Sequence, residues 1–182
     1  MSMTNPLSSK SNIRIRSAVP ADYDSVIHVL TRAWEQFAVS HPGIEEALRQ
    51  ALLTYLEEGS QERFVAEADG LIVGTGELFH SFEEAYGIVN DAIATPILRR
   101  LAVLPEWQGK GIASRLVHES ARRASASGSA FLFLHTSSES NAPAVRLYTH
   151  LGFTRATDQD FYSDEHFMEG YRLDLNGLEE EA

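Results

Sequence analysis

Residues 95–137, "TPILRRLAVLPEWQGKGIASRLVHESARRASASGSAFLFLHTS", constrain the fold more than any other stretch. Two apolar, β-rich runs flank a segment, residues 111–126, in which Ile112, Ala113, Leu116, Val117, Ala121 and Ala124 recur at helical spacing. Strands joined through a helix cannot close as a tight hairpin. They pair in parallel through a right-handed crossover, so the chain must build a sheet with a βαβ unit inside it.

The flanking segments extend that sheet. The polar residues 1–11, with Pro6 and four serines, read as a flexible arm, and order is expected from residue 12. Ile13 and Ile15 alternate with Arg14 and Arg16 as in a strand with one buried face. Beyond Pro20, the positions Val26, Ile27, Leu30, Ala33, Trp34 and Phe37 mark one helical stripe. A second helix is expected where Ile44, Ala47, Leu48, Ala51, Leu52, Tyr55 and Leu56 share a face and Gly59 ends it. "RFVAEADGLIVGTGELFHSF" is a hairpin about Asp69-Gly70, and "EEAYGIVNDA" is a connection. "NAPAVRLYTHLGF" is a helix with Asn141 near its cap, Pro143 in its first turn and Gly152 past its end. "FTRATDQDFYSDEHFMEGYRLDL" reads as two strands around a polar loop, and residues 177–182 as an acidic tail. The fold class is therefore α/β: one domain over residues 12–176, a mixed sheet with a central βαβ unit flanked by helices.

Composition limits the chemistry. A chain of 182 residues with 43% apolar and 23% charged residues suits one globular core. The absence of cysteine excludes disulfides, thiolate metal sites and a cysteine nucleophile. A net charge of −11 opposes diffuse binding of nucleic acid, so no nucleic-acid partner is expected, and any anion site must use directed groups. No apolar run reaches membrane-spanning length and no secretory pattern opens the chain, so no membrane partner and a cytoplasmic location are the expectations. The seven histidines show no paired ligand spacing, and no metal is expected.

The loop before the βαβ helix is the candidate anion site. Helix-opening N–H groups lack intrahelical partners, and glycines at 109 and 111 permit positive φ and close approach of a ligand, while Lys110 adds charge. A plain strand-to-helix turn fits this spacing equally well. A Walker loop is absent because Leu104 and Gly111 stand where Gly and Ser or Thr are required. "GLIVGTG" lies within a strand and opens no helix, so it reads as hairpin rather than as a dinucleotide fingerprint. There is no Gly-x-Ser-x-Gly elbow.

"LAVLPEWQGKGIASRLV" resembles the acetyl-CoA-binding motif of the GCN5-related N-acetyltransferase (GNAT) superfamily, with Gln108, Gly111 and Ala113 at the motif positions. "NAPAVRLYTHLGF" is similar to the second signature of that family, through Asn141, Tyr148 and Gly152-Phe153, and "IRIRSAVPADYDSV" adds a weaker likeness. The resemblance implies a mostly antiparallel, twisted sheet and acetyl-CoA as cosubstrate, with no metal. It implies that the amides of Gln108, Gly109, Lys110, Gly111, Ile112, Ala113 and Ser114 hold the pyrophosphate. Leu101, Ala102 and Val103 would pair with the pantetheine arm, on a bulged strand that splays from its neighbour. The Val103 amide would face the carbonyl oxygen as charge develops, and Tyr148 would protonate the departing thiolate. Tyr148 also fits a packed helix residue, and Asn141 is either a cofactor contact or only a cap.

The acceptor implied is a primary amine of a small molecule or of a peptide or protein, attacked directly in a ternary complex. A lysine-like amine near pKa 10.4 is neutral in about one molecule in a few thousand at pH 7, so a base is useful. The strand before the motif offers Thr95, Arg99 and Arg100 where many relatives carry a glutamate. Glu77 and His80 are the remaining base candidates, although strand carboxylates usually point to solvent and a lone histidine is usually structural. A non-catalytic acyl-CoA-binding module is the alternative. The cluster "DQDFYSDEHFME" reads as an acceptor entrance or as a solvated loop. Residues 34–41, 82–95 and 158–167 would meet the acceptor but carry no readable code. Oligomeric state is left open, with a homodimer among the options.

Overall fold

The computed structural model describes residues 12–35, 61–139 and 141–177, together with residues 46, 49, 50 and 53. The expected arm, Phe37, the stripe and terminating glycine of the expected second helix, and the end of the acidic tail lie outside the described residues. Strands are β1 (Ile13–Ser17), β2 (Glu62–Ala68), β3 (Leu71–Phe79), β4 (Ile97–Val103), β5 (Phe131–Thr136), β6 (Thr154–Arg155), β7 (Phe161–Ser163) and β8 (His166–Asp174). Helices are α1 (Tyr23–Ala33), α2 (Phe82–Tyr86), α3 (Ile112–Ala126) and α4 (Ala142–His150).

The strands form one sheet in the order β1-β2-β3-β4-β5-β8-β6, with β7 paired to β8. Every neighbouring pair is antiparallel except β4 and β5, the two strands of the βαβ unit. Asp69 (φ 52°) and Gly70 (φ 82°) turn β2 into β3 with positive φ at both central positions, the geometry that matches strand twist in two-residue hairpins. At the entrance to α1, the Asp22 carboxylate accepts from the Val19 amide (2.8 Å) and from two nitrogens of Arg16 (2.7 and 2.9 Å), which joins β1 to the helix start.

The apolar stripes fall where their periodicities place them. Val26, Ile27 and Leu30 of α1 and Ile112, Leu116, Val117, Ala121 and Ala124 of α3 are buried in one core with Val73, Leu78 and Ala102 of the sheet. A second, smaller core joins Phe79, Phe82, Ile93, Ile97, Phe133 and Phe161.

Two local readings change. The connection after β3 contains α2, a helix too short to show a periodic stripe. Its signal is the Ser81-x-x-Glu84 pair: the Ser81 hydroxyl accepts from the Glu84 amide (3.3 Å), and Gly87 at φ 70° ends it. The acidic stretch 158–169 is ordered while Asp158, Asp164 and Glu165 remain exposed. It forms a 3-10 turn, Thr157–Gln159, and the β7–β8 hairpin, because Phe161 is buried in the second core and Asp160 is bound to Arg155 and to the Gly170 amide.

Irregularities in β4 position everything that follows. Thr75 faces Ala102 and Glu77 faces Arg99, so three steps along β4 oppose two along β3. Arg100, at φ 48°, is the non-glycine residue at this bulge. On its other side β4 meets β5 only at Ile97↔Phe133, and from there the strands diverge.

Candidate active site

The gap between β4 and β5 opens into two cavities that share walls. The outer cleft, about 520 Å³, runs from the start of α3 along Leu101, Ala102 and Val103 to Asn141 and Tyr148. The inner pocket, about 200 Å³, lies deeper between the bulge of β4 and residues 134–136 of β5. Trp34, Leu101, Asn141 and Tyr148 line both. A wider groove of about 960 Å³ between β1 and α3 shares no residue with either.

The outer cleft is built from main chain. Gly109 and Gly111 have φ values of 75° and 78°, and no heavy atom lies within 4 Å of where a Cβ would stand on either. The loop therefore presents bare backbone to open space, in a conformation other residues adopt at a cost. The first intrahelical bond of α3 runs from the Arg115 amide to the Gly111 carbonyl (3.1 Å). The amides of Ile112, Ala113 and Ser114, on residues that line the cleft, are thus the unpaired donors of the helix end. Lys110 does not line the cleft, and its ammonium lies 5.9 Å from the Trp107 ring centroid.

Strand β4 turns one edge to the same space. The Leu104 amide donates to Val73 (2.8 Å), so the amide of Val103, one residue earlier in an alternating ladder, points away from β3 toward the splay. Gln108 secures this edge by donating from Nε2 to the Val103 carbonyl (3.2 Å). Tyr148 stands on α4, its ring 5.9 Å from that of Phe153 and half-buried against the core. Burial of its hydroxyl, helped by the nearby Tyr86, pushes its pKa up to about 12, so the phenol holds its proton throughout the physiological range. Asn141 caps α4 through its carbonyl oxygen, which accepts from the Ala144 amide at 3.4 Å.

The inner pocket is built from side chains remote in sequence. Tyr86 of α2 and His135 of β5 join through the Tyr86 hydroxyl and His135 Nδ1 at 3.1 Å. Burial, then the charge of Arg99, lowers the His135 pKa to about 4, which leaves the ring neutral at pH 7. The Arg99 guanidinium lies 4.1 Å from the Tyr86 ring centroid and donates to the Ala85 carbonyl. Met168 of β8 completes the described lining.

The two base candidates lie apart from these walls. Glu77 is 1% exposed; Arg63 Nε donates to its Oε1 (2.8 Å) and Arg100 Nη1 to its Oε2 (2.7 Å). His80 pairs with Glu62 at 2.9 Å on an exposed end of the sheet. Neither lines the cleft or the pocket. Among the described residues, no cluster of three or more His, Asp or Glu side chains could hold a metal ion, and no helix is long and apolar enough to cross a membrane.

Residues 24–153 match the sequence profile of the acetyltransferase (GNAT) family. The chain belongs to the GNAT acetyltransferases. These are acyltransferases, and the mixed sheet with its splayed parallel pair is their fold. Among solved structures, a GNAT-family protein from Desulfovibrio desulfuricans superposes with a TM-score of 0.68 at 20% identity, over 90% of this chain and 99% of its own. PaiA N-acetyltransferase from Thermoplasma acidophilum, in complex with coenzyme A, gives 0.64 at 18% identity over 90% and 99%. YncA from Salmonella typhimurium, with its cofactor acetyl-CoA, gives 0.59 at 20% identity over 91% and 95%. No curated protein matches the sequence significantly.

Sequence reasoning about this GNAT chain found the outer cleft and missed most of the inner pocket. Tyr86, His135 and Met168 carry no motif, and they meet only because α2, β5 and β8 converge behind the bulge. Arg99 and Arg100 were legible only as the place where a carboxylate is missing.

Proposed function

We propose that this chain is an N-acetyltransferase that moves the acetyl group of acetyl-CoA to a primary amine of a small molecule or of a peptide or protein, by direct attack in a ternary complex. The observation that supports it most is the continuity of the outer cleft: a helix end with bare glycines leads along an unpaired strand edge to Tyr148 and then into a second, smaller pocket. The fit to acetyl-CoA is chemical as well as spatial. The amides from Gly109 to Ser114 are donors suited to a diphosphate, and the outward edge of Leu101 to Val103 offers main-chain groups to an amide-bearing arm.

Acetyl-CoA supplies an acetyl carbon activated by its thioester; its C–S bond breaks as the amine nitrogen bonds to that carbon and releases one proton to solvent, from which the Tyr148 phenolate is reprotonated. The Val103 amide stabilises negative charge on the acyl oxygen, since it points into the gap and belongs to a rigid strand. Tyr148 gives its proton to the leaving sulfur, and burial keeps the phenol protonated at neutral pH until that step. Asn141 caps α4 and so aims Tyr148. Lys110 contributes through its backbone rather than its ammonium. Glu77 is an anchor and not the base: both its oxygens are engaged by arginines, and it lies behind β4. We assign the protein to the cytoplasm.

The missing carboxylate also favours a second reading, a module that binds acyl-CoA without efficient turnover. Free-thiol release measured with acetyl-CoA across an amine panel separates the two. Acceptor-dependent release that falls in Tyr148→Phe supports catalysis. Tight acetyl-CoA binding with no release for any amine supports the module.

A further inference from the structure

The inner pocket sets two groups that can pass a proton beside the junction of the two cavities. Tyr86 of α2 and His135 of β5 both line it, as does Tyr148, which lines the outer cleft as well. The Tyr86 hydroxyl lies 3.1 Å from His135 Nδ1 and is near enough to Tyr148 to help raise its pKa. Two phenols therefore share the junction, and only Tyr148 is needed at the leaving sulfur. The pair is held from several sides. The Tyr86 ring packs against Phe82 and Phe161, with centroids 5.2 and 4.7 Å away, and the His135 ring meets Phe161 edge-on at 4.9 Å. Burial keeps the Tyr86 hydroxyl protonated against the pull of Arg99 and Arg100. Burial, then Arg99, keeps the His135 ring neutral, while the Gln159 main chain and the Asp160 carboxylate favour its protonated form. Asp160 is itself bound to Arg155 and to the Gly170 amide. A ring balanced in this way offers a lone pair at neutral pH and keeps a proton only briefly.

We propose that Tyr86 and His135 form a proton relay for the attacking amine: with Nδ1 unprotonated, the Tyr86 hydroxyl donates to it and turns its oxygen lone pairs toward the amine nitrogen. The relay rests on the acetyltransferase reading above and adds the route by which the amine loses its proton. The neutral amine bonds to the acetyl carbon and its nitrogen becomes positive. One N–H proton then passes to the Tyr86 oxygen as the Tyr86 proton passes to Nδ1. The phenol is restored, the imidazolium carries the charge, and it releases that proton to solvent after the C–S bond has broken and Tyr148 has protonated the sulfur. Such a ring is too weak a base for a free ammonium ion. It suits the nitrogen once that atom is bonded to an electron-poor carbon, where its N–H is far more acidic. The charge of Arg99 then speeds the discharge of the ring.

The test follows thiol release from acetyl-CoA with L-leucine, spermidine, ethylamine and 2,2,2-trifluoroethylamine, the last two alike in shape while the fluorinated amine sheds its proton more easily. Tyr86→Phe keeps the ring and removes only the hydroxyl, and it is expected to lower kcat about 100-fold with the KM for acetyl-CoA and the melting temperature nearly unchanged. His135→Gln should lower kcat by a similar factor, and the double variant should lose no more than about 3-fold beyond either single one, because the two residues act as a unit. The loss in Tyr86→Phe should be smaller for trifluoroethylamine than for ethylamine, a difference that a packing defect does not produce. Losses that multiply in the double variant, equal losses for the two ethylamines, or a kcat in Tyr86→Phe within about 3-fold of the wild type overturn the relay and leave the acetyltransferase reading standing. If none of the four amines releases thiol, nitrogen NMR of labelled histidine in protein saturated with coenzyme A decides, with His135→Gln identifying the signal. Nδ1 unprotonated at pH 7, and shifted in Tyr86→Phe, supports the relay. Nδ1 protonated, or unmoved by that substitution, overturns it, so a failed relay and failed transfer are told apart.

Discussion

The outer cleft and the inner pocket lie on the same strand but are made differently. The outer cleft uses backbone: positive-φ glycines, a helix end and the outward edge of β4, all within about one continuous segment. The inner pocket uses side chains from α2, β4, β5 and β8, arranged around a bulge stabilised by a buried Arg-Glu-Arg group. Main-chain sites tolerate changes in side-chain identity as long as the turn persists. Side-chain sites depend on each partner. One fold can thus keep its cosubstrate while its acceptor varies.

The largest effect expected from separating the two regions is at Glu77. Glu77→Ala strands two buried guanidinium groups and should cost about 3–5 kcal/mol in stability, read by chemical denaturation. Glu77→Gln distinguishes anchor from base: an anchor lowers the melting temperature and leaves the shape of the pH–rate profile unchanged, whereas loss of a base abolishes an inflection. The pocket should also govern acid stability. The folded pKa of His135, about 4, lies below its ordinary 6.5, so the folded state binds fewer protons than the unfolded state between those values. The associated stability, about 3 kcal/mol, is present above pH 6.5 and lost as pH falls toward 4. Asp22, held below the ordinary carboxylate range by Arg16, adds a further loss at lower pH. Denaturation at pH 7 and pH 4.5 should show the His135 contribution, and His135→Gln should flatten it.

The outer cleft should respond in binding and rate rather than stability. Gly111→Glu puts a side chain and negative charge at an open backbone site and should weaken acetyl-CoA binding about 100-fold by calorimetry; unchanged affinity would remove the cleft from the assignment. Tyr148→Phe should lower kcat about 100-fold with the melting temperature nearly unchanged, and an equal loss in stability would mark it as a packing residue instead. The smallest effect is at Asn141. Its 3.4 Å cap bond predicts a loss of about 0.5–1 kcal/mol in Asn141→Ala, and a separate rise in the KM for acetyl-CoA would show that it also touches the cosubstrate.

Where the backbone decides, the sequence was readable. The Asp69-Gly70 turn, the α3 helix start and the α4 cap lie at their expected positions because turns and caps depend on one or two residues whose conformational preferences are local. The βαβ crossover followed from chain geometry alone. Glu77 shows the limit. In sequence it is a strand carboxylate open to several roles, and only pairing with Arg63, 14 residues away, and Arg100, 23 residues away, commits it to the interior.

The sequence by itself determined the parallel crossover and the glycine-bearing loop that opens α3, since both arise from periodicity and glycine placement over short spans. The tertiary structure alone decided what lines the inner pocket. Its lining depends on which residues of separate elements face one another, and a bulge of one residue in β4 turns Arg100 toward Glu77 while Arg99 lines the pocket.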